Sequence, residues 1–328
     1  MNVINRSDNH QSPLSRVDKI STMGRKHSRK GRPVNGVLLL DKPTGITSNQ
    51  ALQKVKRLYR ARKAGHTGSL DKEASGMLPL CFGEATKFSA YLLDSDKHYH
   101  AVFRLGIQTS TGDAAGETVA VSEVPELNET LIERSLDALR GDIEQVPPMH
   151  SALKHKGERL YKLAYQGIEV DREPRPVTIH ALEYLGHKAG EIEVRIHCSK
   201  GTYIRTLAED FGARLGCKAH LKSLRRTGVG PFRESQMVSL ATLVQQSEEY
   251  PDRLDQCLLA VDTVLTNVPG IELSENMAHY MCQGQAVMVP RSPTQGLVRI
   301  YDQEQLFLGV GEVLEDGRVA PRRLVQRK

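Results

Sequence analysis

Tryptophan is absent from this 328-residue chain, and aromatic residues make up only 5% of it. That scarcity excludes a broad platform on which many successive bases stack, as single-strand binders use. Its five cysteines (Cys81, Cys198, Cys217, Cys257 and Cys282) are scattered, with no C-x-x-C pair. They do not make a disulfide framework, and reduced thiols in a cytoplasmic setting are expected. No run approaches the roughly 18 apolar residues of a membrane span, and the N-terminus lacks the apolar core of a secretory signal. No H-E-x-x-H spacing occurs among the 12 histidines. His98 and His100 lie two apart on an expected strand and so share a face. A metal is one use for them, but a face turned to solvent or nucleic acid is the weightier reading.

What is present is a mild basic excess, 45 Lys and Arg against 39 Asp and Glu. It fits an RNA partner without requiring one. Residues 1–32 are polar and hold eight basic side chains against two acids, so a disordered basic tail is expected there, with Met23 an alternative start. From Pro33 the pattern becomes globular, and the length suggests about two domains. Gly36–Pro43 reads as a buried strand, followed by a helix capped by Ser48. That helix would turn Ala51, Leu52, Val55, Leu58 and Tyr59 inward and Lys54, Lys56, Arg57, Arg60, Arg62 and Lys63 outward. A helix is expected near Ala85–Leu93, then a strand burying Tyr99, Ala101, Phe103 and Leu105, then an amphipathic helix over Asn128–Arg140. Residues 147–177 are rich in Pro and mixed charge and read as an excursion from the core. Strands follow near 178–184 and 191–199, then a helix with Ile204, Leu207, Ala208, Phe211 and Leu215 inward. Without strict βαβ alternation the class is α+β, a mixed, mainly antiparallel sheet. Residues 33–250 are expected to form one domain, 251–266 a linker, and 267–328 a small β module of short strands and turns.

The densest chemical signal is Ala64–Lys87, AGHTGSLDKEASGMLPLCFGEATK. Gly65, Gly68, Gly76 and Gly83 bracket a lone aspartate, Asp71, in a segment suited to positive φ and close backbone approach. A presented catalytic carboxylate and an ordinary polar turn are both compatible with that pattern. This segment resembles the catalytic motif of the TruB-type tRNA pseudouridine synthases, and three further stretches agree in order: GVLLLDKPTGITS, DSDKHYHAVFRLGIQTSTGD and CSKGTYIRTLAEDFGARLG. GRVAPRRLV is similar to the end of that family's C-terminal domain. The resemblance runs from about residue 32 to the end.

The resemblance implies a stand-alone enzyme that isomerises uridine to pseudouridine in the T loop of tRNA. It further implies an RNA-gripping thumb at 147–177, a PUA-like C-terminal domain, and neither cofactor nor guide RNA. A monomer is expected. By the same resemblance Asp71 is the catalytic carboxylate and Arg205 the guanidinium that orients it, as a planar bidentate donor. His66 fills the stack vacated by the flipped base, and Tyr99 is a catalytic residue that stacks on that base and moves a proton. Tyr203 and Leu224 line the uracil pocket, and Lys87 supports the loop. Where the family pattern has Pro after the aspartate this chain has Lys72 and Glu73; Glu73 is expected to point outward. Two rival readings are a catalytically silent RNA-binding or tRNA-folding protein and a guide-RNA-dependent relative. The Asp71–Arg205 pair argues against the first, and the HTGSLD and GEATK wording against the second.

Overall fold

The computed structural model describes residues 31–326. Most of the expected basic tail, Met23 included, therefore lies outside the described residues. Arg32, placed in that tail, instead donates twice to Asp255, at 2.6 Å each.

Alternation of apolar and polar residues produces the central sheet. In the strand Lys97–Leu105 Tyr99, Ala101, Phe103 and Leu105 are buried, while His98 and His100 face outward. This strand sits mid-sheet, flanked by Ala219–Val229 and Glu191–Cys198. The order continues through Arg175–Lys188 to Gly141–Gln145 on one side, and through Ser75–Phe82 and Gly36–Lys42 to Val238–Ser239 on the other. Two short strands, Ala64–His66 and Phe232–Arg233, pair off this path. The pairs of Gly36–Lys42 with Val238–Ser239 and of Ala219–Val229 with Ser75–Phe82 are parallel, and the others antiparallel. The α+β expectation therefore holds. The helix Ile204–Arg214 covers one face with Leu207, Ala208 and Phe211, the last 5.8 Å from Phe103 between ring centres.

The helix Ser48–Leu58 is capped one residue earlier than expected. Thr47 and Gln50 form a reciprocal capping box, Gln50 N–H to Thr47 Oγ1 at 3.2 Å and Thr47 N–H to Gln50 Oε1 at 2.8 Å. Ser48 is thereby released from capping, with consequences at the site below. The expected helix near Ala85–Leu93 divides into a 3-10 turn, Gly83–Phe88, and a short α-helix, Ser89–Asp94.

Residues 251–266, expected as a linker, are packed. Leu254, Val264 and Leu265 are buried, and the Tyr59 hydroxyl donates to the Leu254 carbonyl at 2.9 Å. Beyond them a second, five-stranded sheet forms, ordered Gly270–Glu272, Gly296–Tyr301, Phe307–Val313, Arg318–Leu324, Val287–Met288. It also carries a helix, Glu275–Cys282, that short strands and turns did not lead one to expect. Ser274 caps it, and Ala278 and Met281 bury its inner face. This module packs on the main body through Phe88 and Phe307, whose ring centres are 5.4 Å apart.

One glycine sets how closely two strands approach. Gly76 has φ +97°, and a Cβ there would lie 2.3 Å from the Arg226 carbonyl oxygen. Gly65 is different: it lacks the positive φ, and a Cβ would meet nothing within 4 Å. Gly76→Ala is expected to destabilise the protein by about 2–4 kcal/mol from clash and left-handed strain, whereas Gly65→Ala should shift stability by less than about 1 kcal/mol. Urea unfolding of both variants checks this; equal effects would contradict the close-approach account.

Candidate active site

The site is built around one aspartate and one arginine brought together from 134 positions apart in the chain. Asp71 sits on the turn between Ala64–His66 and Ser75–Phe82, with its side chain 48% exposed. Arg205 opens the helix Ile204–Arg214, its side chain only 7% exposed. Arg205 Nε lies 3.1 Å from Asp71 Oδ2. The expected bidentate fork is absent because the outer nitrogens are used elsewhere. Nη1 donates to the Thr111 carbonyl at 3.0 Å and Nη2 to the His150 carbonyl at 2.8 Å.

Magnitudes decide what each contact does. Charge-assisted bonds from a buried guanidinium are worth about 1.5–3 kcal/mol each. An ion pair with a half-exposed member is worth about 0–1 kcal/mol after solvent screening. The two carbonyls therefore fix the guanidinium, and the guanidinium in turn aims the carboxylate. Asp71 is not in a closed apolar pocket; it stands at the edge of an open cleft.

That cleft, about 710 Å³ in volume, is lined by Asp71, Tyr99, Tyr203, Leu224 and Arg205, among others. Five of the seven expected site residues thus meet in one place. Tyr99 is buried with its phenol beside the Arg226 guanidinium; burial pushes its pKa up, and Arg226 opposes that. Burial likewise raises Tyr203, against the pull of Ser151. Its backbone is clamped by buried Gln145, which accepts from Tyr203 N–H at 3.0 Å and donates to its carbonyl at 3.3 Å.

His66 and Lys87 do not line the cleft. His66 is half-buried on its short strand, and its buried Nδ1 has no hydrogen-bond partner. Burial, reinforced by Arg226, pushes its pKa below the ordinary histidine value, favouring the neutral ring. Lys87 lies at the junction with the C-terminal module, where Nζ pairs with Glu84 at 2.6 Å and donates to the Leu324 carbonyl at 2.9 Å. The loop is instead supported by residues to which sequence reasoning gave no role at the site. Buried Lys42 donates to the carbonyls of Pro43, Ile46 and Lys72, the first two at 2.9 and 2.8 Å and the last at 3.3 Å. Burial pushes its pKa down to about 8. Arg226, almost fully buried, donates to the Met77 and Gly68 carbonyls, each at 2.7 Å. Ser48 Oγ closes both polar groups of Leu70, at 2.8 and 2.9 Å. The only signal for Lys42 and Ser48 in the sequence was their position inside a quoted motif, and Arg226 lies outside all of them.

The departure at Lys72 and Glu73 is accommodated outward. Both are exposed, and Lys72 Nζ lies 3.9 Å from Glu73 Oε1. At 147–177 a two-strand turn, Lys154–His155 with Glu158–Arg159, leads into the helix Leu160–Tyr165. Tyr161 and Tyr165 stand on its cleft side, Tyr165 within 5.7 Å of His150 between ring centres. His98 and His100 share a face but not a site: His98 stacks on His197, whereas His100 Nε2 contacts Glu193 at 2.6 Å.

The same architecture occurs in a solved H/ACA ribonucleoprotein bound to a substrate RNA containing 2'-deoxyuridine. Its TM-score is 0.70 at 22% identity, covering 93% of each chain. The fold is thus that of the pseudouridine synthases. Residues 56–204 match the N-terminal domain model of the TruB family pseudouridylate synthases. Residues 205–266 match the tRNA pseudouridylate synthase B C-terminal domain, and 269–325 the pseudouridine synthase II TruB C-terminal model. The chain is 53% identical to the tRNA pseudouridine synthase B of Coxiella burnetii over 298 residues, 90% of this chain and 96% of that protein. It is also 53% identical to that of Pseudomonas aeruginosa, over 90% of this chain and 97% of that protein. The chain belongs to the TruB family.

Ser48→Ala is expected to cost about 1–3 kcal/mol, because it leaves the buried Leu70 N–H and carbonyl without their shared partner. Amide exchange should quicken at Leu70 and Asp71 before the rest of the sheet. Unchanged exchange there would show that Ser48 does not hold the loop.

Proposed function

We propose that this chain isomerises uridine to pseudouridine at position 55, in the T loop of tRNA, as a stand-alone enzyme with Asp71 as the catalytic carboxylate. The observation that carries this reading is the Asp71–Arg205 contact at 3.1 Å, at the edge of a cleft shared with Tyr99, in a chain of this family. The reaction breaks the bond between the ribose C1' and uracil N1 and forms one from C1' to C5. The C5 proton leaves and N1 gains one, so no redox partner or energy source is consumed. Negative charge is required where the glycosidic bond is loosened, as in glycoside chemistry. Asp71 supplies it, aimed by Arg205.

The target base must be flipped out of the RNA fold, at a cost of a few kcal/mol. Tyr99 offers a buried ring against which it can stack, and Tyr203 and Leu224 form the remaining walls. His66 keeps its proposed role in the vacated stack, acting from outside the cleft. Its neutral ring suits stacking on bases. Lys87 is better suited to holding the motif against the C-terminal module than to touching substrate.

RNA is gripped at a distance from this chemistry. Arg57, Arg60, Lys154, Lys156, Arg322 and Arg323 are all exposed. Arg322 is partly neutralised by Glu312 at 2.8 Å, so the helix and thumb cations are the stronger phosphate ligands. In this reading the protein acts as a monomer, without guide RNA, in the cytoplasm.

Asp71→Asn should abolish conversion of unmodified tRNA while shifting folding stability by less than about 1 kcal/mol, because the lost ion pair is half exposed. Arg205→Lys should lower the single-turnover rate severely, since one ammonium cannot reach Asp71, Thr111 and His150 together. Mapping pseudouridine by position on bare tRNA decides both. Substantial product from Asp71→Asn would overturn the assignment and favour a silent RNA-binding protein.

Replacing Arg57, Lys154 and Lys156 by Gln should weaken tRNA binding and reduce the salt slope by about one unit per lost phosphate contact. The single-turnover rate at saturating enzyme should stay near that of the parent. A salt titration beside a rapid-quench assay checks the division; a saturated rate as low as that of Asp71→Asn would refute it.

A further inference from the structure

The outer face of the main sheet carries a side-chain cluster that the cleft does not use. His98 and Tyr99 are neighbours on one strand, so they point to opposite faces, and Tyr99 belongs to the cleft. His98 and His197 are direct cross-strand partners, with rings 4.1 Å apart and nearly parallel at 9°. The adjacent strand has a register shift between Ile179 and Ala181, and His180 occupies it. Such a bulge re-aims a side chain; here the His180 ring comes to 4.7 Å from that of His197. Asp96, just before the strand Lys97–Leu105, completes the group. Its Oδ2 lies 3.3 Å from His180 Nε2 and 3.8 Å from His197 Nε2.

One ligand atom from each of Asp96, His180 and His197 falls within 4.8 Å of the other two. A tetrahedral zinc ion with bonds of about 2.0–2.1 Å needs ligand atoms about 3.3–3.4 Å apart. The Asp96–His180 separation already meets that edge, and the Asp96–His197 separation needs only a few tenths of an ångström. Of the charges around the group, Asp94 is paired, whereas Arg233 is held on neutral carbonyls and its positive charge faces the histidines and opposes a bound cation. Arg233 donates to the Gly230 and Phe232 carbonyls at 2.7 and 3.0 Å, and Asp94 accepts from Lys200 at 2.7 Å. Burial, then the neighbouring His180, holds the His197 pKa below its ordinary value, with Asp96 opposing.

We propose that Asp96, His180 and His197 form a three-ligand site for a zinc-class divalent transition metal on the sheet face opposite the cleft. Two imidazoles and one carboxylate suit zinc, nickel or copper rather than magnesium or calcium, which prefer oxygen sets. The fourth position is left to water. A bound ion would tie the strands Arg175–Lys188 and Glu191–Cys198 to the residue that leads into Lys97–Leu105.

The test uses the full chain without a polyhistidine tag, stripped of metal by a chelator. Zinc chloride is titrated by calorimetry, cobalt chloride by visible absorption, and magnesium chloride serves as the control. One zinc equivalent is expected, with four-coordinate cobalt bands and a raised melting temperature. The chain has 12 histidines, so comparison among variants decides the location. The double variant His180→Ala/His197→Ala should lose that equivalent, and Asp96→Asn, which keeps the side chain's shape, should weaken it about tenfold or more. His100→Gln should bind as the parent does. All variants should melt like the metal-free parent when metal is absent, which separates ligand loss from misfolding. Zinc binding unchanged in the double variant, or no saturable binding by the parent, would overturn the proposal.

Discussion

A guanidinium taken out of water must find a partner for nearly every donor, and Arg205 meets that demand by drawing three distant segments to one point. Its Nε reaches the carboxylate of the Gly-bracketed turn, and its two outer nitrogens reach the carbonyls of Thr111 and His150. Those carbonyls belong to the turn after the short strand Ile107–Thr109 and to the base of the 147–177 excursion. The cleft exists where these three segments converge. Shortening the side chain would do more than remove a positive charge, since it would release two loops from a shared anchor. The helix that presents Arg205 is seated by Phe211 against Phe103, so the anchor is referenced to the middle of the sheet.

Much of this arrangement was legible in the sequence because it is local or periodic. Alternation gave the central strand, and three- and four-residue spacing gave the two long helices. The quoted motifs brought Asp71 and Arg205 forward as partners. The parts that were not legible depend on contacts between residues far apart in the chain. Arg226 acts on Met77 and Gly68 across separations of 149 and 158 residues, and no local pattern distinguishes it from Arg225 beside it. Arg225 pairs with Asp41 and Glu234. Lys42 fell within a strand read as buried, but nothing in that local pattern showed that its ammonium would sit beneath the turn it supports. Lys87 was read from its motif as part of the loop's support, but its ammonium serves the interface with the second sheet. Ser48 and Thr47 exchanged roles because either hydroxyl could cap a helix, and only the distant Leu70 settles which one is free to do otherwise.

The second sheet is coupled to the same motif. Its contact point is the Gly83–Phe88 turn, which directly continues the strand that follows Asp71. Glu84 accepts from the Gln326 backbone N–H at 2.6 Å while pairing with Lys87, and Phe88 meets Phe307. A single stretch of about twenty residues thus supplies the carboxylate at one end and the docking surface for the C-terminal module at the other.

The openness of the Asp71 carboxylate has a consequence for how water is kept from the chemistry. With nearly half of that side chain exposed, the protein alone provides a floor and two walls. Electrostatic interactions strengthen when solvent is excluded, so the remaining wall must be brought by whatever enters. A large folded nucleic acid would complete the chamber with its own surface, against the edge that Tyr161 and Tyr165 line. A mononucleotide would leave the same carboxylate hydrated. Discrimination against small substrates is then a matter of who brings the roof, and it needs no residue devoted to rejecting them.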